Sequence, residues 1–377
     1  DGSRALHRPV DGGVVGDDAL RGVLVGRDRD GLPAALRHRN DRQIHAGGFH
    51  RLLGAAVDLR VEQLLRENGR VRGVQIEDCE AGSSLQLRCG VLAVATGAWA
   101  ERLRPTEAPQ QLRPLRGSHL LLPGWRLPVA QAFTFLHERD RRPVFVFPWE
   151  GATVVGTTDL DHHKDLDQSA SISNEELDYL LAACTQQFPG AEVTANDVLS
   201  TWSGVRPVVG SAEGNHQDKP SNETREHVLW QEPGCVTLAG GKLTTFRPQA
   251  IEVLKACAAM LERPFVDDAA PVFAAVPVQA IPELSSHQWR RLAGRHGRDL
   301  PKLAQLIKEI GHATVGATDT LWAELAFACE SEMVLHLDDL LLRRTRLGLL
   351  LPRGGEEYFT AIRQLCQPRL GWSDAHW

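Results

Sequence analysis

Gly240-Gly241-Lys242-Leu243-Thr244-Thr245 is the stretch on which the reading of this chain turns. Before it, Val236 to Ala239 form an apolar run that reads as a short buried strand. After it, Pro248 to Met260 repeat apolar residues at helical spacing. The glycines therefore fall on a strand-to-helix turn. Glycine there lets the backbone approach a ligand closely, and a helix start offers unpaired N–H groups and the positive end of a dipole. A lysine and two hydroxyls beside such a turn suit an electron-rich or anionic ligand. Taken alone, the six residues fit a ligand-free tight turn equally well.

Working outward, Val61 to Arg66, the Asn68-Gly69 turn and Val71 to Ile76 read as a β-hairpin, with Leu85 to Arg88 a further strand. Gly90 to Ala95 is a buried apolar strand ending at Thr96-Gly97. His119 to Leu122, Val144 to Trp149 and Thr153 to Thr158 read as strands of an antiparallel sheet, the last two joined at Glu150-Gly151. Ser203 to Val209 and His227 to Trp230 add to that sheet, and Asn174 to Phe188 reads as a helix with Glu175 and Glu176 in its first turn. From Ser286 onward the pattern is helical. Thr318 to His336 carries one helix, and Asp338-Asp339 caps another that runs through Leu340 to Arg346. Arg27 to Arg51 is crowded with Arg, Asp, His and Gly without a period, so residues 1–56 read as an irregular remnant, a basic arm being the alternative.

The chain has 377 residues, 42% hydrophobic and 24% charged, an ordinary globular composition long enough for two or three domains. A net charge of −6 offers no bulk basic footprint for nucleic acid. No run reaches the roughly 18 apolar residues of a membrane span. The seven cysteines are scattered, odd in number and without C-x-x-C spacing, which favours reduced thiols and a cytoplasmic setting over disulfides or a zinc site. His162-His163 is not read as a metal pair, because adjacent histidines do not share a helix face, and no metal site is expected.

Four further stretches accompany the opening one. They are Ala95-Thr96-Gly97-Ala98-Trp99, Arg116-Gly117-Ser118-His119, Pro148-Trp149-Glu150-Gly151 continuing to Gly156-Thr157-Thr158-Asp159, and Ser203-Gly204-Val205-Arg206-Pro207. In this order and spacing the chain resembles the FAD-dependent glycerol-3-phosphate dehydrogenases, the quinone-linked respiratory enzymes, from about Val57 to the C-terminus. The resemblance implies an α/β + α fold: a two-dinucleotide-binding-fold flavoprotein like D-amino-acid oxidase, with an antiparallel-sheet substrate domain and a C-terminal helical domain. The corresponding boundaries are 57–280 for the oxidoreductase domain, with flavin parts at about 57–115 and 234–262 and a substrate sheet at about 116–233, and 281–377 for the helical domain. A flavoprotein of this class holds the FAD pyrophosphate on an N-terminal G-x-G-x-x-G turn. Gly12-Gly13 and Gly47-Gly48 do not complete that pattern. The expectation is a fold incomplete at its N-terminal FAD-binding segment, with weak or absent FAD binding by the chain alone.

The implied reaction oxidises sn-glycerol 3-phosphate to dihydroxyacetone phosphate, with hydride passing to FAD and electrons to quinone. The alternatives are another FAD-dependent amine or hydroxy-acid oxidoreductase, and an inactive fragment. Arg206, whose planar fork suits phosphate or a substrate hydroxyl, is expected to bind substrate. Lys242 is expected at the flavin turn, offsetting charge or touching substrate, a surface lysine being the alternative. His119 is a candidate base, with a structural histidine equally open. Thr157 and Thr158 are expected to line the substrate pocket, while Asp159 is read as ordering the following turn. Thr96, Gly97, Gly240, Gly241, Leu243 and Thr244 match family flavin contacts. Implied partners are glycerol 3-phosphate and a quinone, with peripheral contact to the cytoplasmic face of a membrane, a homodimer left open, and no nucleic acid.

Overall fold

The structure is a computed structural model and describes residues 22–25, 59–80, 82–105, 108, 112–210, 226–267, 271, 275 and 281–377. The sequence readings of the Arg27–Arg51 stretch and of Gly12-Gly13 and Gly47-Gly48 lie outside the described residues. Within the segment read as irregular, one strand is described: β1 (Gly22–Val25). Its apolar run is too short to carry a period, so its pairing across the chain makes it a strand.

β2 (Leu59–Glu67), β3 (Arg70–Asp78) and β4 (Ser83–Arg88) form an antiparallel meander. Asn68 and Gly69 both take positive φ, 49° and 72°, as a two-residue hairpin turn between twisted strands requires. β5 (Leu92–Ala95) is buried almost throughout and pairs antiparallel with β1.

β6 (Leu112–Pro123) is far longer than the His119–Leu122 strand expected. Arg113, Arg116 and Ser118 interrupt its apolar pattern, but all three have partners inside the fold: Arg113 bonds Asp161, and Arg116 and Ser118 bond Glu176. β7 (Phe133–Leu136), β8 (Pro143–Trp149), β9 (Ala152–Gly156) and β10 (Leu160–Asp161) complete a sheet of order β10-β6-β9-β8-β7. Glu150 and Gly151, at φ 51° and 87°, make the expected turn between β8 and β9. Helix α1 (Asn174–Gln187) starts at a capping box: Ser173 Oγ accepts from Glu176 N, and Glu176 accepts from Ser173 N at 2.9 Å. It buries Leu180, Ala183 and Cys184 against Leu120, Leu122, Val144 and Val146 on one face of the sheet. β11 (Ser200–Val209) pairs antiparallel with β6 over ten residues, from Ser200 opposite Leu121 to Val209 opposite Leu112.

β12 (His227–Glu232) departs from the expectation that it joins the substrate sheet. It pairs with β13 (Cys235–Gly240) through a Pro233-Gly234 turn, and β13 pairs in parallel with β5, giving a second sheet of order β1-β5-β13-β12. The reason is local. A two-residue Pro-Gly turn joins sequence neighbours at lower entropic cost than a distant partner. Gly234, at φ 79°, lies so close to β3 that a Cβ would sit 2.2 Å from the Val71 carbonyl. Helix α2 (Phe246–Met260), entered by a 3-10 turn over Leu243–Thr245, packs Val253 on this sheet.

Beyond Ser285 the chain is helical: α3 (Ser286–His296), α4 (Leu300–Ile310), α5 (Trp322–Ser331) and α6 (Phe359–Leu370). α5 is shorter than the Thr318–His336 segment expected, because Thr318 and Thr320 form a hydrogen-bonded turn before it and Met333 takes φ 50° after it. The helix expected from Asp338-Asp339 through Arg346 is a π-type turn over Asp339–Arg344. There Thr345 N and Oγ1 both donate to the Leu340 carbonyl, and Asp339 caps by accepting from Leu335 and His336 N–H groups. Leu349 and Leu350 pack on Leu121 and Val154, covering the face of the substrate sheet opposite α1. Among the described residues no helix is long and apolar enough to cross a membrane.

Candidate active site

Two motifs far apart in sequence meet at one sheet edge. Parallel pairing sets Cys235 opposite Leu92 and Thr237 opposite Val94, so both strands end on the same side. Their carboxyl ends are Thr96-Gly97 and Gly240-Gly241, the place where open α/β sheets bind ligands. Gly97, Gly240 and Gly241 all take positive φ, 56°, 77° and 83°. Gly241 also has no room for a side chain, since a Cβ would lie 2.2 Å from Gln249 Nε2. Thr96 Oγ1 is buried and without a hydrogen-bond partner. Lys242, Leu243 and Thr244 are exposed beside it, Leu243 at 89%. An orphaned hydroxyl and an uncovered leucine next to side-chain-free backbone fit the edge of a large, flat, polar-rimmed cofactor such as FAD. Thr96, Gly97, Gly240, Gly241, Leu243 and Thr244 are the residues that would hold it.

The second half of the site lies on β6, β9 and β11. Register places Gly117 opposite Gly204 and His119 opposite Trp202. Cross-strand partners share a face, so Gly117, His119, Trp202, Gly204 and Arg206 all look to the same side of the sheet. The Arg206 guanidinium lies across Gly117, where a Cβ would be 1.8 Å from Nη2. Its Nη1 donates to Asp159 Oδ1 at 3.0 Å, and its Nη2 donates to Thr157 Oγ1 and the Thr158 carbonyl, each at 3.2 Å. Asp159 is thus the carboxylate that aims Arg206, a role beyond the turn-ordering one expected. No periodicity reveals it, because the two residues are joined only by strand pairing. Val209, at the end of β11, lies beside Gly240, where a Cβ would come 3.2 Å from its Cγ2, so β11 runs from Arg206 to the glycine turn.

His119 is enclosed by Trp202 and by the bare backbone of Gly156, and its Nδ1 is buried without a partner. Burial first, and the positive charge of Arg206 second, push its pKa down to about 4. At neutral pH the ring is uncharged, the form in which a base operates.

Thr158, expected in the substrate pocket, turns its hydroxyl away from Arg206 and His119. Its hydroxyl donates to Glu176 Oε1 at 2.6 Å and accepts from Ser118 N, on the α1 side of the sheet. Glu176 is the functional-site neighbour that sequence reading missed. It also accepts from Arg116 Nη2 at 2.7 Å and Ser118 Oγ at 2.8 Å. Burial opposes its ionisation, but the bonds from Thr158, Ser173, Arg116 and Ser118 outweigh it and hold the carboxyl below the usual range. The capping-box spacing Ser173-x-x-Glu176 was a visible signal for the helix start, not for this network. His162 is buried with both ring nitrogens unpartnered, and among the described residues no group of three or more His, Cys, Asp or Glu could hold a metal.

The FAD dependent oxidoreductase family model matches residues 15–247, and the C-terminal domain of alpha-glycerophosphate oxidase matches residues 236–377. The chain belongs to the FAD dependent oxidoreductase family. Among similar members of the family, the aerobic glycerol-3-phosphate dehydrogenase of Staphylococcus saprophyticus is 28% identical over 305 residues, covering 74% of this chain and 54% of its own length. Glycerol-3-phosphate dehydrogenase 2 of Mycobacterium bovis is 29% identical over 336 residues, 84% of this chain and 56% of its own. The X-ray structure of the glycerol-3-phosphate dehydrogenase from Bacillus halodurans complexed with FAD superposes with a TM-score of 0.69 at 26% identity, over 84% of this chain and 66% of that one. The chain spans about half the length of the curated relatives it matches.

Proposed function

We propose that this chain carries the substrate side and part of the flavin side of a glycerol-3-phosphate-oxidising flavoenzyme, yielding dihydroxyacetone phosphate. The observation that carries the reading is one sheet face on which a carboxylate-aimed arginine lies across Gly117 and a neutral, desolvated histidine stands two residues further along the same strand. Arg206 presents a guanidinium of fixed plane, set by Asp159 and Thr157, to an anionic or hydroxylated substrate. His119 takes the proton of the C2 hydroxyl. Lys242, exposed at the turn, adds positive charge where a dianionic phosphate or an electron-rich ring is bound. FAD, when bound, supplies the hydride acceptor, and a quinone is the electron acceptor that follows. The relatives' names support the substrate, because they are glycerol-3-phosphate dehydrogenases that cover 74% and 84% of this chain. Peripheral contact with a membrane surface follows from a lipid quinone as acceptor.

The test is the visible spectrum of the purified chain with excess FAD, recorded before and after anaerobic glycerol 3-phosphate. Bleaching with glycerol 3-phosphate, and none with glycerol or an amino acid, is the expected result. Flavin that is retained but bleached by amino acids instead would assign the chain to amine oxidation. No flavin retention would make it a fragment without chemistry of its own.

A further inference from the structure

Trp202 stands directly opposite His119 in the β6–β11 register, and their ring centroids are 5.3 Å apart at an interplanar angle of 37°. On the other side of the imidazole is Gly156, where a Cβ would come within 2.2 Å of Cδ2. The ring therefore occupies a slot with one wall of bare backbone and one of indole. The indole is itself braced. Trp149 meets it edge-on, centroids 5.2 Å apart at 76°, and the Arg346 guanidinium lies 5.8 Å over the Trp149 ring. Leu342, Leu349 and Leu350, all from the C-terminal helical segment, share the apolar cluster that holds both tryptophans. Ser200 Oγ donates to the Leu349 carbonyl at 2.6 Å, tying the start of β11 to the same segment.

We propose that Trp202 is the positioning residue for His119: braced through Trp149 by the C-terminal helical segment, its indole pins the imidazole against Gly156 and keeps water from Nδ1. The inference rests on the glycerol-3-phosphate reading for its consequence, proton transfer to His119, but its structural content stands apart from that reading. An apolar wall at this place does two things to a base. It fixes the direction of the accepting nitrogen, and it makes charging the ring costly, which keeps the imidazole neutral at the pH where it is to accept a proton. Of the elements packed on the ring, β9 offers Gly156 and β11 offers Trp202, both uncharged, while Arg206 is the charged group whose field reaches it. Arg346 stands behind Trp149, two rings away. The helical segment thereby affects the chemistry without touching substrate.

Imidazole NMR titration of the full chain tests this, with the His119 signal assigned by its loss in His119→Gln. The wild type is expected to titrate near pH 4. Trp202→Ala should move the midpoint upward by at least about one unit, toward the ordinary histidine value of about 6.5. Trp202→Phe, which keeps a ring in the slot, should restore the low midpoint. Leu349→Ala, which loosens the brace without touching the imidazole, should lower Tm and raise the midpoint by clearly less than Trp202→Ala does. Should Trp202→Ala not fold, Trp202→Leu keeps apolar bulk without a ring to stack and should raise the midpoint in the same direction. A folded Trp202→Ala or Trp202→Leu protein that still titrates near 4 overturns the proposal, as does an equal shift in Leu349→Ala. In the flavin-loaded protein the acid limb of kcat should move with the NMR midpoint while KM for glycerol 3-phosphate changes little. A wild type that is not reduced by glycerol 3-phosphate defeats the functional reading, and the titration still decides the place of Trp202.

Discussion

The acceptors that orient Arg206 include three that reach it from one turn: Asp159, Thr157 and the Thr158 carbonyl. Only a planar guanidinium can serve all three at once. Arg206→Lys keeps the charge and loses the fork. The expected outcome is a Kd for glycerol 3-phosphate weakened by roughly 30-fold, about 2 kcal/mol, since a charge-assisted pair is replaced by a point charge. Tm should change little, because the group is half-exposed. Calorimetric titration of the two proteins checks it, and an unchanged Kd would remove Arg206 from substrate recognition. The sequence motif made this arginine a candidate. Its carboxylate partner was invisible, because Asp159 and Arg206 are 47 positions apart and meet only when β6 pairs with both β10 and β11.

At the scale of elements, β6 and α1 are joined by Glu176. One carboxylate caps the helix, receives Arg116, and accepts from the Ser118 and Thr158 hydroxyls. Its side chain is nearly inaccessible, so the bonds it receives replace its lost hydration. Glu176→Ala leaves Arg116 without its partner and should cost about 3–5 kcal/mol in urea unfolding at pH 7. The pH dependence has a definite sign. The folded carboxyl titrates below the unfolded one, so its contribution is full above the ordinary carboxylate range of about 4.3 and is lost as pH falls through the lower folded value. Glu176→Gln should therefore have a flatter acid-unfolding curve than the wild type. Parallel curves would show that the network does not hold the charge. Hairpins with Asn-Gly or Glu-Gly turns, and helices with capping boxes, were legible because their signals are local. β6 was not, because its arginines and serine look exposed until the carboxylates that pair with them are in place.

Over the whole molecule, the helical segment is anchored to the substrate sheet by a small set of charges at the β8–β9 turn. Glu150 accepts from Arg291 Nε at 2.7 Å, and Arg291 also bonds Glu324, which receives His296 at 3.2 Å. These side chains are largely shielded, which makes an unpaired member costly. Glu150→Ala should lower stability by about 3 kcal/mol and loosen the helices from the sheet. The emission of Trp149 and Trp202 at this junction, read as the fluorescence lost in a Trp149→Phe/Trp202→Phe background among the nine tryptophans, would then melt earlier than the far-UV signal. Coincident transitions at the wild-type Tm would show that the apolar cluster of Leu342, Leu349 and Leu350 suffices. By itself the sequence determined the strand–glycine–helix turn at Gly240-Gly241, the hairpins, the helical character after Ser286 and the family, because propensity, capping and turn chemistry act within a few residues. Tertiary structure alone decided that β12 belongs to the cofactor sheet, that β5 and β13 bring their glycines to one edge, that Asp159 aims Arg206, and that Trp202 walls His119. Those outcomes depend on which strands pair and in what register, and pairing energy comes from surfaces that are distant in the chain until it folds.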